Sequence, residues 1–389
     1  MSPRSRLRSI FLAGLALVAA SPGPSRAADE AADFARFVDD YFTARFAAHP
    51  TEGTSAGLHE YDDKLEDLSR REITARVGKL RDQLARLATI QSPRPDDQVD
   101  ARVLSGQIQA ELLDLETLRT WEVNPMAYAG LPGGAIDGLM KRDFAPAADR
   151  LRSLIARERA IPAVFAAARA NLKNPPKEFT DLAIRMARGS DGFFRGPVPA
   201  WAKGAAAGDP ALLRDFERAN AEVVAATSGF AAWLESDLKP RSAGRYAIGA
   251  ANFLAKLRHE EMVEVPLPEL LAKGEAQLDR DHAAFVATAR LIDPSKTPAE
   301  VMKALSEDHP TADDLLPSVR RSIDESRRYL IAKGIVTIPS EVRPRIEETP
   351  PYARSGSFAS MDTPGPFETR ASEAFYYVTG VLQTAGRQR

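Results

Sequence analysis

The five histidines of this chain are the first residues to consider for metal chemistry. A zinc site on one helix commonly uses His-Glu-x-x-His, in which both imidazoles lie on the same helix face. The segment from His259 begins in this way, but Val263 stands where the second ligand is required. His282 has no partner three or four residues away, and His309 precedes a proline. The residues themselves therefore predict no complete metal site.

Two short glycine-rich segments resemble catalytic loops. Residues 53–57 match the Gly-x-Ser-x-Gly nucleophile elbow, which needs a preceding strand to raise its serine above a sheet. Here a predicted helix ends just before, at His49-Pro50, so we predict an interhelical loop and no labelling of Ser55 by a fluorophosphonate probe. Residues 130–138 lack both the Gly-Lys-Ser/Thr ending and the strand of a phosphate-binding loop. They are predicted to form a flexible connector.

The densest group of chemically active side chains lies in residues 57–63, which read Gly-Leu-His-Glu-Tyr-Asp-Asp. This segment combines an imidazole, carboxylates and a phenol in one predicted loop. Loops that combine such groups are often functional sites, because helix packing does not explain them. Local capping of the next helix explains the same residues equally well, so both interpretations stay open.

Five motifs follow one another in an order that resembles a known bacterial family. They are Phe46-x-x-His49-Pro50, Gly57-Leu58-His59-Glu60-Tyr61-Asp62, Tyr246-x-Ile248-Gly249 with Leu257-Arg258, Thr349-Pro350-Pro351-Tyr352, and Pro364-Gly365-Pro366-Phe367. Together they resemble the domain-of-unknown-function family numbered eight hundred and eighty-five, over about residues 33–379. The resemblance implies a helix-rich, often exported protein similar to zinc metallopeptidases of the gluzincin type, and hence a peptide or amide hydrolase.

The resemblance also implies a metal motif downstream of the strands, His-Glu-x-x-Pro-Gly-His on a helix, with a further acidic ligand beyond. In such a site the glutamate activates a zinc-bound water. The sequence after Thr379 contains no histidine or acid and does not resemble this continuation. We therefore assign no catalytic residue and no metal ligand, and zinc is expected only for a full-length family member. We expect an N-terminal fragment, from a frameshift, premature stop or misassigned gene, with residues 380–389 as an aberrant tail.

Two functional hypotheses follow. The first is an exported zinc-metallopeptidase-like protein that ends before its metal motif and is inactive alone, its helices forming one wall of a cleft for a peptide or small-molecule substrate. The residues predicted to face that cleft are His59, Glu60, Tyr61, Tyr352 and Arg354. The alternative is a periplasmic helical binding or scaffold protein without catalysis, which predicts a native-like melt and a well-packed region 335–379.

The elements that must position these residues are mostly helices. Apolar spacing and caps predict helices near residues 33–48, 69–87, 97–115, 146–160, 162–172, 178–188, 209–238, 247–258, 268–291, 298–307 and 312–333. Residues 335–338, Ile-Val-Thr-Ile, form the first predicted strand. The sequence thus predicts a mainly α fold, a long-helix array over 28–334, with a small β element near residues 335–379. Relative to the family this β element is incomplete and only starts the strand-containing catalytic region.

The amino terminus and the charge indicate the compartment and exclude one class of partner. A basic head at residues 4–8, an apolar run at 10–20 and a small-x-small site at 25–27 predict a signal peptide cleaved after Ala27. We expect a periplasmic or secreted protein, with no lipid anchor and no membrane attachment after cleavage. Cleavage removes four arginines and no acids, so the net charge falls from −2 to about −6, which argues against a nucleic-acid partner. The oligomeric state is not determined by the sequence.

Overall fold

A computed structural model describes residues 24–91, 94–354 and 356–380, with side chains from residue 29 onward. The predicted signal peptide lies outside the described residues, apart from the backbone of residues 24–27. The predicted tail lies outside them too, except for Gly380. None of the described helices is long and apolar enough to cross a membrane.

Helices account for most of the described chain. They are α1 (Pro24–Ala48), α2 (Pro50–Ala56), α3 (Arg70–Leu87), α4 (Pro95–Leu112), α5 (Thr120–Val123), α6 (Pro125–Met140), α7 (Ala147–Asn171), α8 (Lys177–Arg195), α9 (Pro197–Ala205), α10 (Pro210–Trp233), α11 (Ala250–Glu261), α12 (Leu267–Ile292), α13 (Pro298–Glu307) and α14 (Leu315–Lys333). A three-stranded sheet follows, formed by β1 (Arg345–Glu348), β2 (Ala359–Asp362) and β3 (Phe375–Val378). This confirms the mainly α fold with a small β element.

The sheet has the order β1-β3-β2. Strand β3 lies in the middle, parallel to β1 and antiparallel to β2, with Phe375 paired to both Arg345 and Asp362. The parallel pair is possible because the chain between β1 and β3 is long enough to return to the same end of the sheet. Phe375, Tyr377 and Val378 are buried, so β3 carries the apolar face of this element.

Two apolar clusters stabilise the helices. The larger cluster lies among α6, α7, α8 and α10, where Phe165 and Phe230 stack with ring centroids 4.4 Å apart. The smaller cluster joins α1, α3 and α4 around Phe37, Tyr41 and Ile108, each at most 1% exposed. Both clusters arise from apolar residues at helical spacing, because such spacing gives each helix one face to bury.

Several predicted helix ends are confirmed. Ser69 accepts a hydrogen bond from the backbone N–H of Glu72 at the start of α3. Asp209 does the same for Leu212 at the start of α10, and each bond satisfies an otherwise unpaired donor of the first turn. Gly334 adopts the left-handed conformation (φ 62°) that ends α14, as the sequence predicts.

The predicted strand at residues 335–338 is wrong. This segment is irregular, Ile335 and Val336 are more than half exposed, and the first strand of the described chain begins at Arg345. β-Branched residues favour strands mainly through packing against cross-strand neighbours. In the described structure no strand lies beside residues 335–338, so their propensity has no pairing to stabilise.

The other errors concern glycine and proline. Residues 53–57, predicted as a loop, form α2 and its left-handed cap, and residues 125–140, predicted mainly as a connector, form α6. Helix α7 continues through Pro162, which was expected to start a separate helix. Residues 189–208 were predicted as the weakest stretch, but they contain the end of α8 and the whole of α9. Tertiary packing overrides local propensity in these places, since α6, α7 and α8 enclose the larger apolar cluster.

The sheet region is attached to the helices at two glycines. A Cβ atom on Gly133 of α6 would lie 2.5 Å from the ring of Tyr352, and one on Gly189 of α8 would lie 2.5 Å from the carbonyl oxygen of Pro351. The Tyr352 hydroxyl donates to Asp137 Oδ2 at 3.1 Å. The Thr-Pro-Pro-Tyr motif therefore fixes the sheet region against α6 and α8.

Candidate functional site

The segment 57–63 lies in the turn that follows α2. Pro50 occupies the first turn of α2, where its missing N–H costs no hydrogen bond, and Gly57 ends the helix with a φ of 96°. A single 3-10 turn, His59–Tyr61, comes next. This sharp change of direction presents the imidazole of His59 to the space between α2 and the end of α6.

His59 lies between two carboxylates that are far apart in sequence. Its Nδ1 is 3.1 Å from Asp62 Oδ2, and its Nε2 is 3.1 Å from Glu368 Oε2. The ring stacks on Phe144, with centroids 4.0 Å apart and planes inclined by 10°. A protonated imidazole donates to both carboxylates, whereas a neutral one donates to only one of them. His59 therefore links the turn at residues 57–63 to Glu368.

A buried chain of hydrogen bonds holds Asp62 in place. Thr54 Oγ1 donates to Asp62 Oδ1 at 2.8 Å and accepts from Arg157 Nη2 at 2.6 Å. Arg157 is only 1% exposed, and it also donates to the carbonyl oxygens of Ala135 and Lys64. Burial raises the pKa of Asp62, although the bonds from Thr54 and His59 oppose that rise. The turn is thus anchored to α6 and α7 and is not a free loop.

The second carboxylate, Glu368, follows the Pro-Gly-Pro-Phe motif directly. Its Oε1 accepts from the backbone N–H groups of Arg370 and Ala371, at 2.7 and 3.2 Å. Burial acts to raise the pKa of Glu368, but these N–H groups and His59 together lower it below its usual value. Glu368 is therefore an ionised partner for His59.

The Pro-Gly-Pro-Phe motif itself packs on the end of α2. The backbone N–H of Phe367 donates to Ala56 O at 2.8 Å. A Cβ atom on Gly365 would lie 2.2 Å from Ser55 O, so only glycine allows this approach. Two motifs separated by some three hundred residues are thus held together by backbone contact.

Charged residues from the end of α6 complete the site. Arg142 Nη2 lies 2.5 Å from Asp362 Oδ1, and Lys141 forms a close ion pair with the same carboxylate. Burial acts to raise the pKa of Asp362, yet Lys141 and Arg142 hold it below its usual value. These ion pairs fix β2 against α6.

His59 and Phe144 line two spaces. A pocket of about 100 Å³ lies between Ser55, His59, Lys141 and Thr363. A more open cavity of about 440 Å³ lies on the Arg150 side. The smaller pocket has room for a few water molecules or one small polar group, since a water occupies roughly 30 Å³ in the liquid.

The geometry does not form a serine nucleophile. The Nε2 atom of His59, which a serine hydroxyl would need as its base, faces Glu368 instead. Ser55 is exposed on α2 and follows no strand. Among residues 24–91, 94–354 and 356–380, no group of three or more His, Asp or Glu side chains is arranged to hold a metal ion.

Of the five residues predicted to face a cleft, His59 alone lines either space. Glu60 is exposed, and Tyr61 packs on Phe46 with ring centroids 6.0 Å apart. Tyr352 points inward to Asp137, as described above. Arg354 donates to Thr349 O and pairs with Glu348, both at 2.9 Å. Substrate contact by these residues stays a prediction.

Sequence reasoning missed four residues of this site: Lys141, Arg142, Asp362 and Glu368. Glu368 comes directly after the Pro-Gly-Pro-Phe motif, which was a usable signal. Lys141 and Arg142 follow a segment that was predicted to be a connector, so their place at the end of a helix was hidden. No pattern in the sequence pairs Asp362 with them.

Comparisons with known proteins give a family and a fold. The family described as "Bacterial protein of unknown function (DUF885)" matches residues 50–388. None of the curated proteins compared with the chain matches it.

Two solved structures share the fold. One is a candidate lipoprotein of unknown function from Shewanella oneidensis, with a TM-score of 0.66 and 24% identity, covering 91% of this chain and 66% of that one. The other is a candidate lipoprotein from Colwellia psychrerythraea, with a TM-score of 0.68 and 14% identity, covering 90% and 67%. The chain thus spans about two thirds of the length of each.

Proposed function

Because this chain belongs to the DUF885 family of bacterial proteins of unknown function, we propose that it forms the helical wall of a substrate cleft in an exported, zinc-metallopeptidase-like protein. In this proposal the chain binds part of a peptide or a small molecule and has no hydrolytic activity by itself. In this proposal the zinc ligands come from outside the residues that the structure describes.

The observation that carries the proposal is the meeting of two motifs around one imidazole. The turn at residues 57–62 supplies His59, and the segment at 364–368 supplies Glu368, 309 residues away. Backbone contacts between Phe367 and Ala56 hold the two segments in register. Tyr352 already attaches the sheet region to α6. The polar groups around His59 are therefore not needed for that attachment, which supports a role in binding.

The two spaces beside His59 suggest what is bound. The smaller pocket takes one polar or charged group, while the larger and more open cavity admits the rest of a side chain or a chain end. Lys141 and Arg142 line the smaller pocket and offer donors to a carboxylate, and Glu368 offers an acceptor to an amine. Both groups occur at the ends of peptides, which supports a peptide as the occupant.

Export is part of the proposal. The basic head, apolar run and cleavage site at the amino terminus support it, and two of the solved structures that share this fold are described as candidate lipoproteins. Fractionation of cells that express the tagged chain tests this. We expect the shortened protein in the periplasm or the medium.

Two measurements on the purified chain test the function. Without other polypeptides, we expect no one-to-one zinc uptake and no cleavage of peptides when zinc is added. Hydrolysis that a chelator abolishes would contradict the inactivity of the chain.

The second measurement tests binding. A pool of dipeptides should raise the melting temperature of the chain, and His59→Gln should remove that rise. His309→Gln is the matched control, because His309 is exposed in a distant loop.

A binding or scaffold protein without catalysis is the second candidate. The observation that favours it is the firm packing of the sheet region, whose ion pairs and glycine contacts need no further polypeptide. The DNA after codon 389 separates the two candidates. A downstream His-Glu-x-x-Pro-Gly-His segment in another frame supports the peptidase-like proposal, and its absence supports the scaffold.

A further inference from the structure

Two glycines of α6 form part of the wall of the smaller pocket. Gly134 and Gly138 lie one turn apart on this helix, and both line the pocket together with His59. Neither has the left-handed backbone that favours glycine. A Cβ atom on either would meet nothing within 4 Å. Backbone conformation and packing therefore do not explain why side chains are absent at these two positions.

Two other glycines of α6 do have a packing reason. Gly130 and Gly133 lie against side chains of other segments, which would be 2.9 and 2.5 Å from their Cβ atoms. Glycine inside a helix lowers stability relative to alanine, so Gly134 and Gly138 weaken α6 without any gain in packing. What they provide is an open wall, because a larger residue at either position would place its side chain at the pocket.

The same side of α6 continues into two bases. Lys141 and Arg142 follow Gly138 by three and four residues, the spacing that places side chains on one side of a helix, and both line the pocket. Arg142 donates through Nε to Glu373 O and through Nη2 to Asp362, and its Nη1 group has no acceptor among the described residues. The ammonium group of Lys141 has three N–H groups and one hydrogen-bonded carboxylate partner, Asp362. Both bases can therefore donate to a further group.

The acceptors around the pocket are mostly in use. Glu368 accepts from two backbone N–H groups through one oxygen and lies beside His59 through the other. Asp362 accepts from both bases. Two carbonyl oxygens at the end of α6 accept from Arg150. Spare donors and few spare acceptors favour a carboxylate over an ammonium group as the occupant.

We propose that the smaller pocket takes the carboxyl end of a peptide, and that Gly134 and Gly138 restrict the last residue of that peptide to a small side chain, such as that of glycine or alanine. This inference rests on the proposed function and names the part of the peptide that occupies the site. A pocket of about 100 Å³ holds roughly three water molecules, so a carboxylate group fills most of it. A large side chain next to that carboxylate would meet the backbone of α6.

Calorimetric titration of the purified chain with four peptides tests both parts of the proposal. Alanyl-glycine should bind at least about tenfold more tightly than alanyl-phenylalanine, whose last side chain is too large for the pocket. It should exceed its own amide, alanyl-glycinamide, by at least the same factor, because the amide cannot form charge-assisted hydrogen bonds with the two bases. Acetyl-alanyl-glycine, whose amine is blocked, should bind as tightly as the free dipeptide.

The outcomes separate this inference from the proposed function. Equal affinity for alanyl-glycine and alanyl-phenylalanine would overturn the role of the glycines, and binding that survives amidation would overturn the choice of the carboxyl end. If His59→Gln still abolishes binding in those cases, the proposed function stands. If none of the four peptides binds, the proposed function fails and this inference fails with it.

Gly138→Leu tests the wall of the pocket directly. The new side chain should fill the pocket and weaken alanyl-glycine binding at least about tenfold, while the melting temperature of the free chain stays the same or rises, because leucine favours helices more than glycine does. If the leucine variant melts at a lower temperature, Gly138→Ala replaces it and should weaken binding by a smaller factor.

Gly78→Leu on α3 is the matched control. Gly78 is exposed, has nothing within 4 Å of its Cβ position and lies outside the pocket, so this variant should bind alanyl-glycine as the unchanged chain does. Unchanged binding in the Gly138 variant would overturn the proposal, and so would equal weakening in both variants.

Discussion

Residues 24–245 and residues 246–380 differ sharply in how they bury apolar surface. Of the twelve largest fully buried side chains in the described structure, eleven lie in the first region and only Phe375 lies in the second. The exposed large hydrophobic residues are distributed in the opposite way, since eighteen of the twenty in the described chain lie between residues 246 and 367. The first region is organised like a domain core, and the second carries amphipathic helices whose apolar sides remain uncovered.

This difference shows that the helices of the two regions are stabilised in different ways. Helices α7 and α10 pack against each other through a shared apolar cluster, so tertiary contact stabilises them. Helices α12 and α14 have no buried apolar face of comparable size in the described structure, and their form depends more on helix propensity. A regular helix in this fold therefore does not by itself indicate a packed core.

The largest expected effect compares phenylalanines of the two regions. Phe230 of α10 is 0% exposed and stacks on Phe165 of α7, and Phe358 is 91% exposed just before β2. Phe230→Ala should lower the free energy of unfolding by about 3–5 kcal/mol, because it leaves a cavity in the core. Phe358→Ala should change it by less than about 0.5 kcal/mol. Urea titration followed by circular dichroism measures both, and equal losses would show that the second region has a buried core too.

The next effect concerns pH and the carboxyl group of Glu158. This residue is 0% exposed, neither oxygen has a hydrogen-bond partner among the described residues, and burial raises its pKa from 4.5 to about 9. The native state thus keeps a proton that the unfolded chain loses above about pH 4.5, so stability should fall as the pH rises toward 9. Between pH 5 and pH 7 the loss is about 3 kcal/mol.

Glu158→Gln should remove this pH dependence and stabilise the protein at neutral pH. Urea titrations at pH 5 and at pH 7 measure the effect, with Glu217→Gln as the control, because Glu217 is exposed on α10.

In the second region, the pH dependence of stability at Asp293 has the opposite sign. Hydrogen bonds from Ser295 and Lys296 lower the pKa of Asp293 to about 2, so its contribution is present above about pH 3.8 and is lost as the pH falls through 2.

A smaller effect tests the attachment of the second region to the first. Gly189→Ala places a Cβ atom 2.5 Å from a backbone oxygen of residue 351, and backbone cannot turn aside as a flexible side chain can. We expect a loss of about 1–3 kcal/mol in the free energy of unfolding. Gly192→Ala, one turn later on α8, meets nothing within 4 Å and should stabilise the helix by about 0.5–1 kcal/mol. Equal effects would mean that the Thr-Pro-Pro-Tyr motif does not attach the sheet region here.

The parts of the fold that sequence predicted are those decided by local chemistry. The caps at Ser69, Asp209 and Gly334 could be identified because a cap depends on a few neighbouring residues. Prolines and glycines misled the prediction where a helix is enclosed by others, as at Pro132 in α6 and Pro162 in α7. There the missing N–H of proline costs less than the packing of the whole helix gains.

Only those residues of the candidate site that are neighbours in the sequence could be predicted. His59 and Asp62 occur in one short segment, so their proximity was implicit in the sequence. The contact of His59 with Glu368 depends on how the chain returns after the sheet, and no spacing rule connects residues 309 positions apart. The ion pairs of Lys141 and Arg142 with Asp362 were hidden for the same reason.

The smallest expected effect comes from removing the side chain that caps the start of a helix, once in each region. Ser69→Ala removes the cap of α3, which packs in a core cluster, so the global free energy of unfolding should fall by about 1 kcal/mol. Thr297→Ala removes the capping box of α13, a ten-residue helix with one buried apolar residue, Val301. If α13 opens without the rest, global stability stays unchanged, while hydrogen exchange of its amides accelerates about fivefold, the equivalent of 1 kcal/mol. An equal global loss in both variants would show that the two regions unfold together, because only then does a local cap stabilise the whole chain.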